Sequence, residues 1–203
     1  MAVSASDVKK LRDQTGAGMM DCKAALEEAN GDFEEATILL RKKGLASAGK
    51  KAGRATHEGL IGQSLSADGS RGILVEVNCE SDFVARTDEF QQLIKDLLAE
   101  IEKKGDSATE EWLKDPAGPV HLRVAATIGK LGENMAVPRF VRYAGQGYVG
   151  QYIHLGGKLG VQVEFSGVTP AIAAREEFQT LVKEVAMQIA AVSPVYASRS
   201  AVP

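Results

Sequence analysis

Cys79 comes nearest to a catalytic group, because a Glu and an Asp follow it within the sequence NCESD. A cysteine nucleophile needs a nearby base, usually a histidine. The chain's three histidines, His57, His121 and His154, lie in no recognisable catalytic pattern. The position that corresponds to Cys79 in an internal repeat, described below, is Gly167, which favours a small, semi-buried residue there. A cysteine-dependent enzyme stays open as an alternative.

Metal-binding and phosphate-binding patterns do not occur in the sequence. It contains neither Cys-x-x-Cys nor His-x-x-x-His, and no Gly-x-x-x-x-Gly-Lys-Ser/Thr loop. The glycine-rich stretch GAGMMD follows a predicted helix and has no lysine placed to meet phosphate. We interpret it as a turn that exposes Met19 and Met20, a pair suited to adaptable protein contacts. The alternative is that one of the two methionines caps a helical core. No cofactor is expected.

The composition is that of an ordinary globular chain, with 44% hydrophobic and 25% charged residues. The net charge of −3 argues against a protein that coats nucleic acid. No apolar run approaches the roughly 20 residues that span a bilayer. The first residues resemble neither a signal peptide nor a transit peptide, so the sequence predicts a cytoplasmic protein without membrane contact. Aromatic residues make up only 5% of the chain, which makes any aromatic in a polar turn informative.

The first 44 residues predict a bundle of three short helices that break at Gly16 and at Asn30-Gly31 and end at Gly44. Ser4 and Asp32 are the predicted capping residues. The predicted core positions are Val8, Leu11, Cys22, Ala25, Leu26, Ala29, Phe33, Ala36 and Leu40. Residues 45–58 are rich in Ala, Gly and Lys, and they predict a partly helical linker.

The remainder contains an internal repeat in which residues 59–101 match the chain 88 positions later, with roughly 14 identities over about 43 positions. Each copy predicts a β-hairpin followed by a long amphipathic helix, so two core subdomains are expected at 59–143 and 144–203. The fold class is therefore α+β. Pro138 predicts an edge strand between the copies. The predicted apolar stripes are Phe90, Leu93, Leu97 and Ile101 in the first helix, and Phe178, Leu181, Val185 and Ile189 in the second.

Phe83 breaks the repeat, because Asp82 and Phe83 correspond to Pro170 and Ala171. A hairpin-helix unit that needed an aromatic at this position would have kept one in both copies. Two interpretations remain: Phe83 packs against something unique to the first copy, such as the three-helix bundle, or it is held out for a partner.

Basic residues without an intervening acid run from Arg41 to Arg54 and include Lys51. Such a run is usually a solvated face. The alternative is that it docks on an acidic partner surface.

Three stretches together, TGAGMMDCKAALEEANGD, VNCESDFVAR and GKLGEN, resemble the translation elongation factor Ts family over essentially the whole chain. The resemblance implies an N-terminal domain of the ubiquitin-associated type, a two-subdomain core, and exchange of guanine nucleotide on elongation factor Tu. Mg²⁺ and GDP or GTP then belong to the partner GTPase. It also implies a monomer that forms a heterodimer with that GTPase, without direct nucleic-acid contact.

The resemblance also implies contact residues. The family's Thr-Asp-Phe motif is Ser81-Asp82-Phe83 here, and its Phe wedges between helices of the GTPase near the Mg²⁺ site. The other contacts that it implies are Lys23, Met19, Met20, Leu131, Gly132 and, in the second subdomain, His154. The alternative is a protein-binding module of the ubiquitin-associated type without exchange activity, which would use the methionine turn and be indifferent to Phe83.

Overall fold

The computed structural model describes residues 3–145, 147–196 and 198–203, and the fold is α+β, as predicted. The helices are α1 Ala5–Thr15, α2 Met19–Glu28, α3 Phe33–Lys51, α4 Asp82–Ala85, α5 Asp88–Lys104, α6 Glu110–Lys114, α7 Pro119–Leu131, α8 Pro170–Ala173 and α9 Glu176–Val192. The strands are β1 Glu58–Leu65, β2 Arg71–Cys79, β3 Met135–Ala144, β4 Tyr148–Ile153 and β5 Gly160–Phe165. Single 3₁₀ turns lie at Gly105–Ser107 and Arg199–Ala201.

The first helix begins and ends where local chemistry predicts, and the third helix begins at its predicted cap. The Ser4 hydroxyl accepts the Asp7 N–H at 3.1 Å, and the Asp32 carboxylate accepts the Glu35 N–H at 2.8 Å. Gly16 ends α1 in the left-handed region, with φ of 68°. The predicted core is confirmed: its buried members are Val8, Leu11, Cys22, Ala25, Leu26, Ala29 and Ala36, with Phe33 and Leu40 partly buried against them.

Two predictions about this region are wrong. The third helix does not end at Gly44 but continues to Lys51, through the first half of the predicted linker. Gly44 is buried against α7, where a Cβ would lie 3.4 Å from the carbonyl oxygen of Ala125. This glycine permits close helix contact instead of ending the helix. Met19 and Met20 form the first turn of α2 and not an irregular turn.

We expect Gly44→Val to lower the free energy of unfolding by about 1–3 kcal/mol, because the added methyl groups would meet the backbone of α7. Gly49→Val is the matched control in the same helix, since a Cβ at Gly49 meets nothing within 4 Å. That control is expected to change stability by less than about 0.5 kcal/mol. Equal losses in urea unfolding of the two variants would show that the contact with α7 does not set the effect, since helix propensity favours valine over glycine at both positions.

The repeat predicted from the sequence is present as structure. The helices α5 and α9 begin and end 88 residues apart, as do the one-turn helices α4 and α8. Strand β4 pairs antiparallel with β5, with Tyr148 opposite Phe165 and Ile153 opposite Gly160. In the other sheet the strand order is β1-β2-β3, so β3, which contains Pro138, lies at an edge, as predicted.

The turn between β1 and β2 is fixed by the Asp68 carboxylate. This carboxylate accepts hydrogen bonds from the Ser66 hydroxyl at 2.6 Å and from the Ser70 N–H at 3.0 Å and hydroxyl at 2.8 Å. These bonds favour the ionised form, and they hold the pKa of Asp68 well below its usual range.

The apolar stripe of the first long helix is confirmed, and that of the second is partly wrong. Phe90, Leu93, Leu97 and Ile101 are all buried. In α9, Leu181 is 48% exposed, whereas Val182 and Ala186 are buried. The cause is visible at Gly150, where a Cβ would lie 2.3 Å from the Val182 side chain. The glycine of the hairpin receives Val182 and thereby selects the face of α9 that is buried.

The contacts of the chain form two compact units. The first contains the described residues up to Glu58 together with Asn78–Leu93 and Glu110–Ala136. The second contains Gly59–Val77, Ile94–Thr109 and the described residues from Val137 onward. The domain boundaries proposed from the sequence stay predictions.

Among the described residues, no helix has both the length and the apolar character needed to cross a bilayer.

Candidate partner-binding surface

Phe83 projects into solvent, with 80% of its surface exposed. It lies in the single turn of α4, which follows the buried end of β2 at Cys79. The Ser81 hydroxyl caps this turn by accepting the Val84 N–H at 3.3 Å. Ala85, two residues after Phe83, is 2% exposed and anchors the opposite side of the turn. Of the two interpretations of Phe83, packing against the bundle is therefore wrong.

Asp82, next to Phe83 in the chain, forms a solvent-exposed ion pair with Arg86. Its carboxylate is 2.8 Å from the Arg86 guanidinium, one helical turn later, and both side chains reach solvent. Exposed pairs of this kind contribute only about 0.2–0.5 kcal/mol. Asp82 can therefore leave Arg86 for a group on another molecule at little energetic cost.

The residues of GKLGEN lie against the turn that carries Phe83. Helix α7 ends at Leu131, and Gly132 follows in the left-handed region with φ of 80°. The next residue, Glu133, accepts the Ser81 N–H at 3.0 Å and the Ser81 hydroxyl at 2.7 Å. The bonds of Glu133 thus bring the preceding residues, Leu131 and Gly132, close to the motif, although Phe83 and Leu131 are 48 positions apart in the chain (131 − 83).

The exposed start of α2 belongs to the same compact unit. Met19 is 47% exposed and Met20 is 73% exposed, so neither methionine caps the bundle core. Lys23, one turn further along α2, pairs with Glu27 at 3.7 Å, and both side chains are half in solvent. The start of α2 thus presents two flexible apolar side chains, Met19 and Met20, with the Lys23 ammonium beside them.

Lys130 connects the α1–α2 turn with the end of α7. A Cβ at Gly16 would lie 2.7 Å from the Lys130 ammonium, so glycine leaves room for this side chain. Lys130 also lies 3.5 Å from the Glu89 carboxylate. A backbone hydrogen bond at Glu89 and, after it, the charge of Lys130 lower the pKa of Glu89.

The basic run lies on α3 as far as Lys51, and Arg54 follows the end of the helix, which agrees with a partly helical segment at 45–58. Lys43 pairs with Asp21, and the Lys51 ammonium donates to the Ser47 hydroxyl one turn earlier. A cavity of about 350 Å³ opens between this helix, α7 and the α1–α2 turn, and Arg41, Lys43 and Lys130 contribute to its lining. Asp21 also lines this cavity, so its charged lining has three cations and one anion.

His154 belongs to the second compact unit. It lies exposed at the β4–β5 turn, where its Nδ1 atom is 3.0 Å from the Tyr152 hydroxyl. The neighbouring Leu155 is 89% exposed. The contact role expected of His154 stays a prediction, and the sequence analysis did not single out Leu155 beside it.

Cys79 is fully buried, and its thiol donates a hydrogen bond to the Ser81 carbonyl oxygen at 3.1 Å. A thiol in this position supports the turn and cannot reach a substrate in solution. This contradicts the cysteine-dependent enzyme.

Among the residues that the structure describes, no group of three or more His, Cys, Asp or Glu side chains could hold a metal ion.

Comparison with known proteins gives a consistent set of similarities. The family model described as Elongation factor TS matches residues 80–203. The Elongation factor Ts of Trichlorobacter lovleyi is 45% identical over 98% of this chain and 66% of its own length. The corresponding protein of Aquifex aeolicus is 45% identical over 97% of this chain and 70% of its own length. The Elongation factor Ts of Nostoc sp. is 46% identical over 93% of this chain and 62% of its own length. The chain thus spans about two thirds of the length of these relatives.

Proposed function

Because the chain belongs to the elongation factor Ts family, we propose that it is a guanine-nucleotide exchange factor for elongation factor Tu. The observation that carries the proposal is Phe83, an aromatic side chain that is 80% exposed on a capped, hydrogen-bonded turn. Aromatic side chains that enter a pocket on a partner are the usual source of binding energy in protein interfaces. Phe83 has the exposure that such an anchor requires.

Exchange requires no bond to be made or broken in this chain. Mg²⁺ bridges the nucleotide phosphates and side chains of a GTPase, so moving an element that holds Mg²⁺ weakens nucleotide binding. We propose that Phe83 enters between helices of elongation factor Tu near this site and displaces such an element. We expect the Mg²⁺ and the nucleotide to be bound by the partner.

The neighbours of Phe83 have supporting roles in the proposed complex. Asp82 exchanges Arg86 for a polar group of the partner. Ser81 replaces the family's threonine and keeps the hydroxyl that caps α4. Leu131 and Gly132 add an apolar and a backbone contact beside the wedge.

Further contacts come from both compact units. Met19, Met20 and Lys23 form a second contact with the GTPase domain, and the basic face that includes Lys51 favours an acidic partner surface. His154 contributes from the second unit. We expect the chain to act in the cytoplasm as a monomer that forms a heterodimer with elongation factor Tu.

A protein-binding module of the ubiquitin-associated type is the second candidate. The exposed Met19 and Met20 favour it, since a methionine pair on a helical bundle can bind a partner without affecting nucleotide. The two candidates differ in thermodynamic linkage. An exchange factor must bind the GDP-free partner more tightly, by the same factor by which it weakens GDP binding.

The test is to titrate the chain, by calorimetry, into nucleotide-free elongation factor Tu and into its complex with Mg²⁺ and GDP. We expect the Kd for the GDP complex to be higher by at least about tenfold, within the range usual for coupled sites. Equal Kd values would contradict exchange and favour the binding module. No binding to either form would contradict both candidates.

A further inference from the structure

We propose that Glu133 is a positioning residue for Phe83: it holds the turn of Phe83 in the geometry in which the side chain can act as a wedge. The inference rests on the proposed function, and it assigns to Glu133 an effect that is transmitted through Phe83. Glu133 does not need to touch elongation factor Tu for this effect.

The first part of the support is the pairing of Glu133 with Ser81. One carboxylate oxygen accepts the Ser81 N–H at 3.0 Å, and the other accepts the Ser81 hydroxyl at 2.7 Å. Hydrogen bonds to an ionised carboxylate are stronger than those between neutral groups. Because the same hydroxyl caps α4 through the Val84 N–H, Glu133 fixes the residue on which the helical turn is built.

The second part is Asn134, the one polar or charged side chain that is buried among the described residues, with 6% exposed. Its N–H donates to the Glu80 carboxylate at 2.6 Å, and its side-chain amide donates to the Arg54 carbonyl oxygen at 2.8 Å. The Arg54 guanidinium in turn lies 3.4 Å from Glu80. Hydrogen bonds thus join Glu80 to the backbone of Asn134 and Ser81 to the side chain of Glu133.

In the second copy of the repeat the corresponding turn, α8, begins with Pro170 in place of Asp82 and has a different set of hydrogen bonds. Thr169 caps α8 as Ser81 caps α4, by accepting an N–H three residues later at 3.3 Å. In the part of the chain that the structure describes, the Thr169 hydroxyl makes no hydrogen bond outside α8. At the position of Phe83 this copy has Ala171. The additional hydrogen bonds thus occur in the copy that presents an aromatic side chain.

The physical reason for such support is preorganisation. An exposed side chain on a mobile turn loses conformational freedom when it enters a partner, and this loss reduces the free energy available to displace an element of that partner. A site held by hydrogen bonds to a rigid neighbouring element avoids most of this loss. Glu133 lies between two regular elements, two residues after α7 ends at Leu131 and two residues before β3 begins at Met135.

The test is a double-mutant cycle with Glu133→Ala and Phe83→Ala, read as the rate of labelled GDP release from elongation factor Tu. We expect Glu133→Ala alone to slow release by about tenfold, and to add less than about twofold in a chain that already carries Phe83→Ala. Glu133→Gln keeps a carbonyl oxygen for Ser81, and we expect it to restore release to within about threefold of wild type. Circular dichroism verifies that each variant is folded, and Ser81→Ala serves in place of Glu133→Ala if that variant does not fold.

The outcomes separate this inference from the proposed function. If Phe83→Ala leaves release unchanged, the wedge is wrong. If Phe83→Ala slows release but Glu133→Ala reduces it by the same factor in both backgrounds, Glu133 acts independently of Phe83 and the inference is overturned. Hydrogen exchange of the free chain gives a readout that does not depend on activity. We expect Glu133→Ala to speed amide exchange in residues 82–87 but not in residues 170–175, and unchanged exchange in residues 82–87 would also overturn the inference.

Discussion

Replacing Phe83 by alanine is expected to slow the release of GDP from elongation factor Tu, at a fixed concentration of the chain, by at least about 30-fold. This factor corresponds to the 2 kcal/mol or more that buried aromatic anchors contribute to interfaces. In the free chain Phe83 is 80% exposed, so its loss removes little packing. We therefore expect the free energy of unfolding to change by less than about 0.5 kcal/mol.

Leu122→Ala is a matched control, because Leu122 is a large apolar side chain in the same compact unit and is 46% exposed. Stopped-flow measurements with fluorescent GDP should show release within about twofold of wild type for this variant, as for surface contacts outside a hot spot. Equal effects of the two substitutions would show that Phe83 is one apolar surface residue among many.

Replacing Phe90 by alanine is expected to lower the free energy of unfolding by about 3–5 kcal/mol, which is a large part of the stability of a typical domain. Phe90 is fully buried on α5 and is the largest of the fully buried side chains. Its replacement removes a ring from the core and leaves a cavity that the surrounding helices and strands fill only partly.

The repeat provides the comparison, because Phe178 holds the equivalent place on α9. Phe178 is half-buried, and its ring makes edge-on contacts with Tyr148 at 5.2 Å and Phe165 at 5.8 Å between ring centroids. We expect Phe178→Ala to lower stability by about 1–3 kcal/mol, less than Phe90→Ala, because less apolar area is removed from the interior. Urea unfolding of both variants gives the values, and a larger loss for Phe178→Ala would contradict the burial that distinguishes the two copies.

Local patterns were sufficient to predict most of the fold. They predicted the caps at Ser4 and Asp32, the hairpins and the apolar stripe of α5, because each of these depends on residues close together in the chain. The repeat showed the pattern of a hairpin followed by a helix a second time. The errors arose where tertiary contacts decide. Gly44 looks like a helix end until α7 is seen to lie against it, and Leu181 looks like a core residue until Gly150 is seen to receive Val182.

The candidate surface was predictable in part. The motif Ser81-Asp82-Phe83 and its mismatch with the second copy drew attention to Phe83, and the structure places this side chain in solvent. Glu133 and Asn134 were not predicted, although they belong to GKLGEN. Their hydrogen bonds join residues that are 52 and 54 positions apart, and no local pattern indicates which distant polar group an acidic side chain will meet.

The most direct test of the exchange function is multiple-turnover release of labelled GDP from an excess of elongation factor Tu, with the wild-type chain at substoichiometric concentration. With an excess of unlabelled nucleotide to displace the chain after each release, we expect the release rate to rise in proportion to the concentration of the chain, so that each molecule acts on many molecules of elongation factor Tu. Release at the spontaneous rate, with binding still detectable, would contradict the exchange function and leave a binding module.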